Sequence, residues 1–333
     1  MRKTLLTLVL VFCLMTMGPG FDQGLFMTAK ATEAGNAATE QPTAEDDAFS
    51  FLDLQHREFY FASGAGGWRT VMSIKADGSF AGVFSDSEMG SVGEGYPKGT
   101  YYLCEFEGTF TDPVQVNDYT YSVKIDELRC LKEPETTEII DEILYHYSTP
   151  YGLEGAEEIL IYLPGAPIGE LPEEYMNWVR NDMAEPEATE LPFYGLYNAT
   201  EQNGFSSYDA LAQLDEYLAS VREQADLISA SLEKDPLTQA DMNQKSAELA
   251  QLWDFAMSAV WNVLEGSLTK EELFTLTENQ QEWAAVKDKL VEEAGAEVQG
   301  GSMYPLVVNS EAARLTEERV SDLYGLLKGP EFP

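Results

Sequence analysis

The stretch that decides the second half of the chain reads Thr269-Lys270-Glu271-Glu272-Leu273-Phe274-Thr275-Leu276-Thr277-Glu278-Asn279-Gln280-Gln281-Glu282-Trp283. Thr269 followed three residues on by Glu272 is a capping box. The hydroxyl accepts from the backbone at the third position, and the carboxylate reaches back to the cap amide. Behind it Leu273, Leu276, Gln280, Trp283 and the pair Val286/Lys287 recur at steps of three and four, the period of one helix face. Gly295 and Gly300-Gly301 end that pattern.

The same signature repeats on both sides. Thr238 and Asp241 cap a helix bearing Leu249, Leu252, Trp253, Ala256, Val260 and Leu264, with Gly266 as its stop. Upstream, Ser206 and Asp209 open a helix carrying Leu211, Leu214, Leu218, Val221, Ala225 and Ile228. Downstream, Ser302 opens a fourth, with Val308, Ala312, Leu315, Arg319 and Leu323. Four amphipathic helices with short connections predict an antiparallel bundle over residues 206–328.

Residues 49–182 change period. Arg57–Ser63, Trp68–Lys75, Phe80–Ser85, Thr100–Thr111, Tyr119–Leu128 and Glu158–Leu163 are short apolar or alternating runs, separated by Asp-Gly and Pro/Gly turns. They predict an antiparallel β meander that forms a small barrel or sandwich. Of the aromatics in these runs, Tyr60, Tyr102 and Tyr121 are expected on faces opposite the core. The fold class is therefore α+β, a β part followed by a helical bundle. Residues 183–205, with Pro186, Pro192 and Gly204 among acidic side chains, read as a linker.

The N-terminus reads as an address. Arg2 and Lys3 precede an apolar run from Leu5 to Met17, and Ala29-Lys30-Ala31 offers a cleavage site. The run is shorter than the ~20 residues that cross a bilayer. Residues 1–31 are thus expected to be a signal peptide, residues 32–48 a polar disordered linker, and the mature protein secreted or associated with the cell envelope, outside the membrane. Of the three cysteines only Cys104 and Cys130 follow the cleavage site. A single hairpin turning near Pro113–Asn117 would leave Cys130 about four residues off register from Cys104, too far for a disulfide, whereas a different strand pairing would bring the two within reach.

The chain has 58 acidic and 20 basic residues, a net charge of −38. Acidic residues outnumber basic ones more than twofold in both 49–182 and 206–328. Such a field excludes nucleic acid and anionic membrane surfaces as partners and attracts cationic ones.

Polar residues on the apolar helix stripes are the candidate site: Gln280, Trp283 and Lys287 on one helix, Thr316 and Arg319 on the next, and Ser302 at the turn between them. Buried amides and cations need partners, since each left unsatisfied costs a few kcal/mol. These residues either bridge the helices in a polar network or contact a partner.

The ordered series Trp253-Asp254, Leu264, Thr269-Lys270-Glu271-Glu272, Gln280, Trp283, Lys287, Gly300-Gly301-Ser302-Met303-Tyr304-Pro305 and Leu315-Thr316-Glu317-Glu318-Arg319 resembles the LprI-type, lysozyme-inhibitor-like domain of secreted bacterial proteins, over about residues 241–327. Glu292 or Glu293 stands where that family often has a cysteine. The resemblance implies a helical domain that binds a cationic secreted protein such as lysozyme and inhibits a muramidase. The alternative is an extracellular small-ligand or glycan binder that uses the aromatic-rich β part.

No catalytic signature accompanies these features. His56 and His146 are the two histidines. Gly-x-Ser-x-Gly, His-Glu-x-x-His, a phosphate loop and Cys-x-x-Cys are all missing from the sequence. Asp77, Asp86, Glu88 and Glu94 lack the spacing of a dedicated calcium loop. A non-catalytic protein without a cofactor is expected.

Overall fold

The computed structural model describes residues 49–64, 67–185 and 187–328. The expected signal peptide and the 32–48 linker lie outside the described residues. From Phe49 onward these residues belong to one compact unit. It is an α+β fold, a mostly antiparallel sheet followed by helices.

Twelve strands form the sheet: β1 Arg57–Ala62, β2 Trp68–Ile74, β3 Ser79–Glu88, β4 Thr100–Phe110, β5 Val114–Asn117, β6 Thr120–Val123, β7 Ile125–Cys130, β8 Thr137–Ile140, β9 Ile143–Tyr147, β10 Ile159–Tyr162, β11 Gly195–Asn198 and β12 Asn203–Asp209. The order β6-β10-β11-β12-β1-β2-β3-β4 is antiparallel throughout, and β7 pairs β4. Only Lys124 separates β6 from β7. Its backbone exchanges hydrogen bonds with Thr111, whose amide donates to the Lys124 carbonyl (2.9 Å) and whose hydroxyl accepts from the Lys124 amide (3.0 Å). Thr120–Cys130 is therefore one bent strand that joins both ends of the path and closes the sheet into a barrel. Closure removes the sheet edges that would otherwise be open to other chains. Of the two architectures expected from sequence, the barrel is the one found.

Alternate residues of every stave fill the interior, as a period of two requires. Phe59 and Phe61, Met72 and Ile74, Phe80, Phe106, Ile159 and Ile161, Leu196 and Phe205 are all buried there. Tyr121 also faces inward and is buried, against the outward position expected for it, because its place on β6 falls on the interior side of the ring. β5 continues β4 beyond Phe110 and pairs β6 in the same register, and outside the ring the β8–β9 ribbon adds to the start of β4 through a parallel pairing.

Residues 195–198 and 203–209 form strands where the sequence reads as linker and helix start. Their burial explains the difference: every residue from Gly195 to Asn198 and from Asn203 to Ser207 is buried. A short helix, α1 (Glu173–Val179), lies against β12 with Tyr175 fully buried. The Tyr175 hydroxyl donates to the Phe205 carbonyl at 3.3 Å. Only glycine fits at 195, since a Cβ there would fall 1.9 Å from the Tyr175 oxygen.

Four longer helices follow: α2 Ala210–Lys234, α3 Gln239–Ser267, α4 Lys270–Gly295 and α5 Tyr304–Lys328. The capping boxes at Thr238/Asp241 and Thr269/Glu272 are both formed. Asp209 caps α2 in place of Ser206, which is still in the barrel wall. Leu214, Leu218, Trp253, Val260, Leu264, Val320 and Leu323 make the core of the bundle. By contrast α4 buries only Leu276 and Gly295, leaving Phe274 and Val286 exposed. His56 Nδ1 lies 2.7 Å from Ser267 Oγ, and Lys270 pairs with Glu107 at 3.2 Å, so the end of α3 and the start of α4 are tied to the barrel.

Cys104 and Cys130 are free thiols with their sulfurs 3.5 Å apart. The distance inferred for a simple hairpin is overturned by the register. The strands do form one hairpin, but it turns at Asp118–Tyr119, later than Pro113–Asn117: β5 pairs β6 (Val114 with Ser122, Gln115 with Tyr121) in the same register that sets Phe106 opposite Cys130. Cys130 therefore faces Phe106, one diagonal step from Cys104.

Candidate functional site

The candidate residues on α4 and α5 converge around one indole ring. Helical steps of three and four place Gln280, Trp283 and Lys287 on one face of α4. Lys287 Nζ lies 5.4 Å and Arg319 Cζ 5.7 Å from the centre of the Trp283 ring. An aromatic face attracts a cation at such a distance. The ring is half-buried and does not belong to the bundle core.

Arg319 Nε donates to Gln280 Oε1 at 2.8 Å, and its Nη2 donates to Asn279 Oδ1 at 2.6 Å. Gln280 Nε2 donates to Met257 Sδ on α3, 3.2 Å away. Burial lowers the Arg319 pKa, partly offset by Asp322; a guanidinium remains charged under such a shift.

Asp254 on α3 is the hub that links the other two residues. Its Oδ1 lies 3.2 Å from Lys287 Nζ and 3.5 Å from Thr316 Oγ1. Thr316 is fully buried, and its one hydroxyl proton goes to the nearer acceptor, the Ala312 carbonyl at 2.8 Å. The set thus spans α3, α4 and α5, with two cations, one carboxylate and neutral amides. It can hold helices in register and present a mixed polar–aromatic face; it contains no nucleophile paired with a base.

Ser302 stands apart from this cluster. It is exposed, α5 begins two residues beyond it, and its carbonyl accepts from Asn243 Nδ2 at 2.9 Å. Sequence reasoning passed over Asp254, Asn279 and Met257 as site residues. Asp254 had a signal, because it directly follows the buried Trp253 at a marker position.

A second constellation lies at one end of the barrel. Trp68 stands opposite Asp86 in the β2–β3 register. With Phe84, Tyr151 and Glu154 they border a cavity of about 350 Å³. The rings of Trp68 and Phe84 each meet Tyr151 edge-on, at 4.8 and 5.8 Å between centres. Among the described residues no three His, Cys, Asp or Glu side chains gather as a metal site. Asp77 accepts from both the amide and the hydroxyl of Ser79 in its turn. Among the described residues no helix is long and apolar enough to cross a membrane.

No curated protein and no solved structure matches the chain. Residues 231–323, which hold α3, α4, the α4–α5 turn and most of α5, match the family model described as Lysozyme inhibitor LprI, the family that the marker residues of the helical part resemble.

Proposed function

We propose that this is a secreted, non-catalytic binding protein whose helical part captures a cationic muramidase and blocks it. The observation that carries this reading is the family match over residues 231–323, the segment that contains the whole Trp283-centred cluster. In this role Gln280, Thr316 and Arg319 hold α3, α4 and α5 in register. Trp283 and Lys287 form the edge of the face that meets the partner, and Ser302 fixes the turn at its end. The net charge of −38 speeds the encounter with a basic protein and makes it sensitive to salt.

The test is lysozyme inhibition by the whole chain at low and at physiological salt. Inhibition that persists at about 0.15 M salt, where the screening length is about 8 Å, and that weakens in Trp283→Ala supports a specific surface. Inhibition confined to low salt, or none, rejects it. A second reading, a small-ligand binder that uses the β part, is favoured by the aromatic-walled cavity at the end of the barrel.

A further inference from the structure

The walls of the barrel-end cavity combine two sources of negative potential. Trp68, Phe84 and Tyr151 supply aromatic rings, whose faces are electron-rich. Asp86 and Glu154 supply carboxylates, and the remaining lining groups, Ser148 and Thr149, are neutral. Among the described residues no lysine or arginine lines the cavity to balance the two acids.

The loop that carries Tyr151 and Glu154 is held from below. The Thr70 hydroxyl donates to the Tyr151 carbonyl at 2.6 Å. Asn198, fully buried, donates its amide to the carbonyls of Gly152 and Glu154, both at 3.1 Å. Gly152 has φ +101°, and a Cβ there would strike Phe205 and Phe61 at 2.7 and 2.8 Å. The loop is therefore seated before any ligand arrives, which cuts the ordering cost of binding. Burial, and then the Glu201 carboxylate, push Glu154 above the usual carboxylate range. The Glu154 carboxylate accepts from the Thr149 hydroxyl within the same loop.

The geometry points to a binding site for an organic cation, its ammonium or guanidinium group held among the Trp68 and Tyr151 rings and the Asp86 and Glu154 carboxylates. This inference rests on the second reading above and names its ligand class. The cavity volume is at the small end of ligand sites and suits one cationic head on a short alkyl stem.

The experiment is calorimetric titration of the full chain with n-butylguanidinium, at constant ionic strength. Butylurea serves as the neutral isostere and a chitin oligosaccharide as the sugar probe. The expected result is saturable binding of the guanidinium, little or none of butylurea, and about tenfold weaker binding in Glu154→Gln and in Trp68→Leu, tenfold being the size of one good cation–aromatic or charged contact. Near-ultraviolet circular dichroism verifies the fold of each variant, and the isosteric Asp86→Asn replaces Trp68→Leu if the latter does not fold. Equal binding of butylurea, or unchanged affinity in folded Glu154→Gln, overturns the cation site. Binding of the oligosaccharide alone also overturns it but leaves the small-ligand reading standing. Binding of none of the three overturns both.

Discussion

Arg319 and Gln280 are joined across α5 and α4 by a 2.8 Å hydrogen bond, with the Arg319 guanidinium also lying beside the Trp283 ring. Since α4 buries so little of itself, this bond is a main tie of that helix to its neighbours. Arg319→Ala should lower stability by about 1.5–3 kcal/mol, the range for a hydrogen bond to a charged group whose partner is then left unpaired. Urea unfolding monitored by circular dichroism measures it. An unchanged midpoint would show that the bond does not hold α4.

Trp283 and Trp253 should respond differently to truncation. Trp253 is 3% exposed in the bundle core, so Trp253→Ala should cost about 3–5 kcal/mol. Trp283 sits between two cations, half-buried, and Trp283→Ala should cost only about 1–2 kcal/mol, the sum of partial burial and cation–aromatic contacts. Parallel denaturant titrations of the two variants test the contrast; equal losses would place Trp283 in the core.

Oxidation should join Cys104 to Cys130. Burial, followed by the neighbouring thiol, pushes the Cys104 pKa up, so the native thiol reacts slowly. The bond is therefore expected to form quickly during refolding in a glutathione redox buffer and slowly in the folded protein. Once formed it should add about 3 kcal/mol by restricting the unfolded chain. Thiol titration under denaturing conditions, with Cys130→Ser as control, follows the reaction; two reactive thiols after oxidative refolding would contradict it.

Glu58 gives a signed pH effect. Burial raises its pKa, with Arg69 opposing, and the Tyr208 hydroxyl donates to its carboxylate. The folded state holds this proton more tightly than the unfolded state does. The resulting loss of stability sets in as pH rises from the ordinary carboxylate range through the raised value, and it is complete above that value. Glu58→Gln retains an acceptor for Tyr208 without the charge. It should melt higher than the parent at neutral pH and equally at pH below the ordinary carboxylate range. Melting curves at both pH values decide it.

Much of this fold is legible because local chemistry and global packing agree. Thr238/Asp241 and Thr269/Glu272 announce their helices through bonds made within four residues, and Trp68–Ile74 or Thr100–Phe110 announce strands through runs that alternate over part of their length. The last two staves escape reading for a physical reason. Gly195–Asn198 is too short to show a period, and β12 buries Asn203, Ser206 and Ser207, polar residues that a sequence assigns to turns. The cysteine register depends on the hairpin turning at Asp118–Tyr119 and not at the proline-marked stretch before it, a choice that pairing along the whole hairpin decides. Within the candidate site, helical spacing groups Gln280, Trp283 and Lys287, and Thr316 and Arg319. Only tertiary packing reveals that Asp254 connects the two sets, or that Glu154 and Trp68 border one cavity.

Asp209 has three duties at once. It is the last residue of β12, which lies between β11 and β1 in the barrel wall, it pairs with Arg57 at 2.9 Å, and it caps α2 by accepting from the Ala212 amide at 2.9 Å. A cut made a few residues earlier would pull out a stave along with the helices and leave β1 and β11 with raw edges open to aggregation. A cut at the Asp209–Ala210 bond instead would strip α2 of its cap, so barrel and helices share one residue at their junction and neither can be excised there without loss to the other.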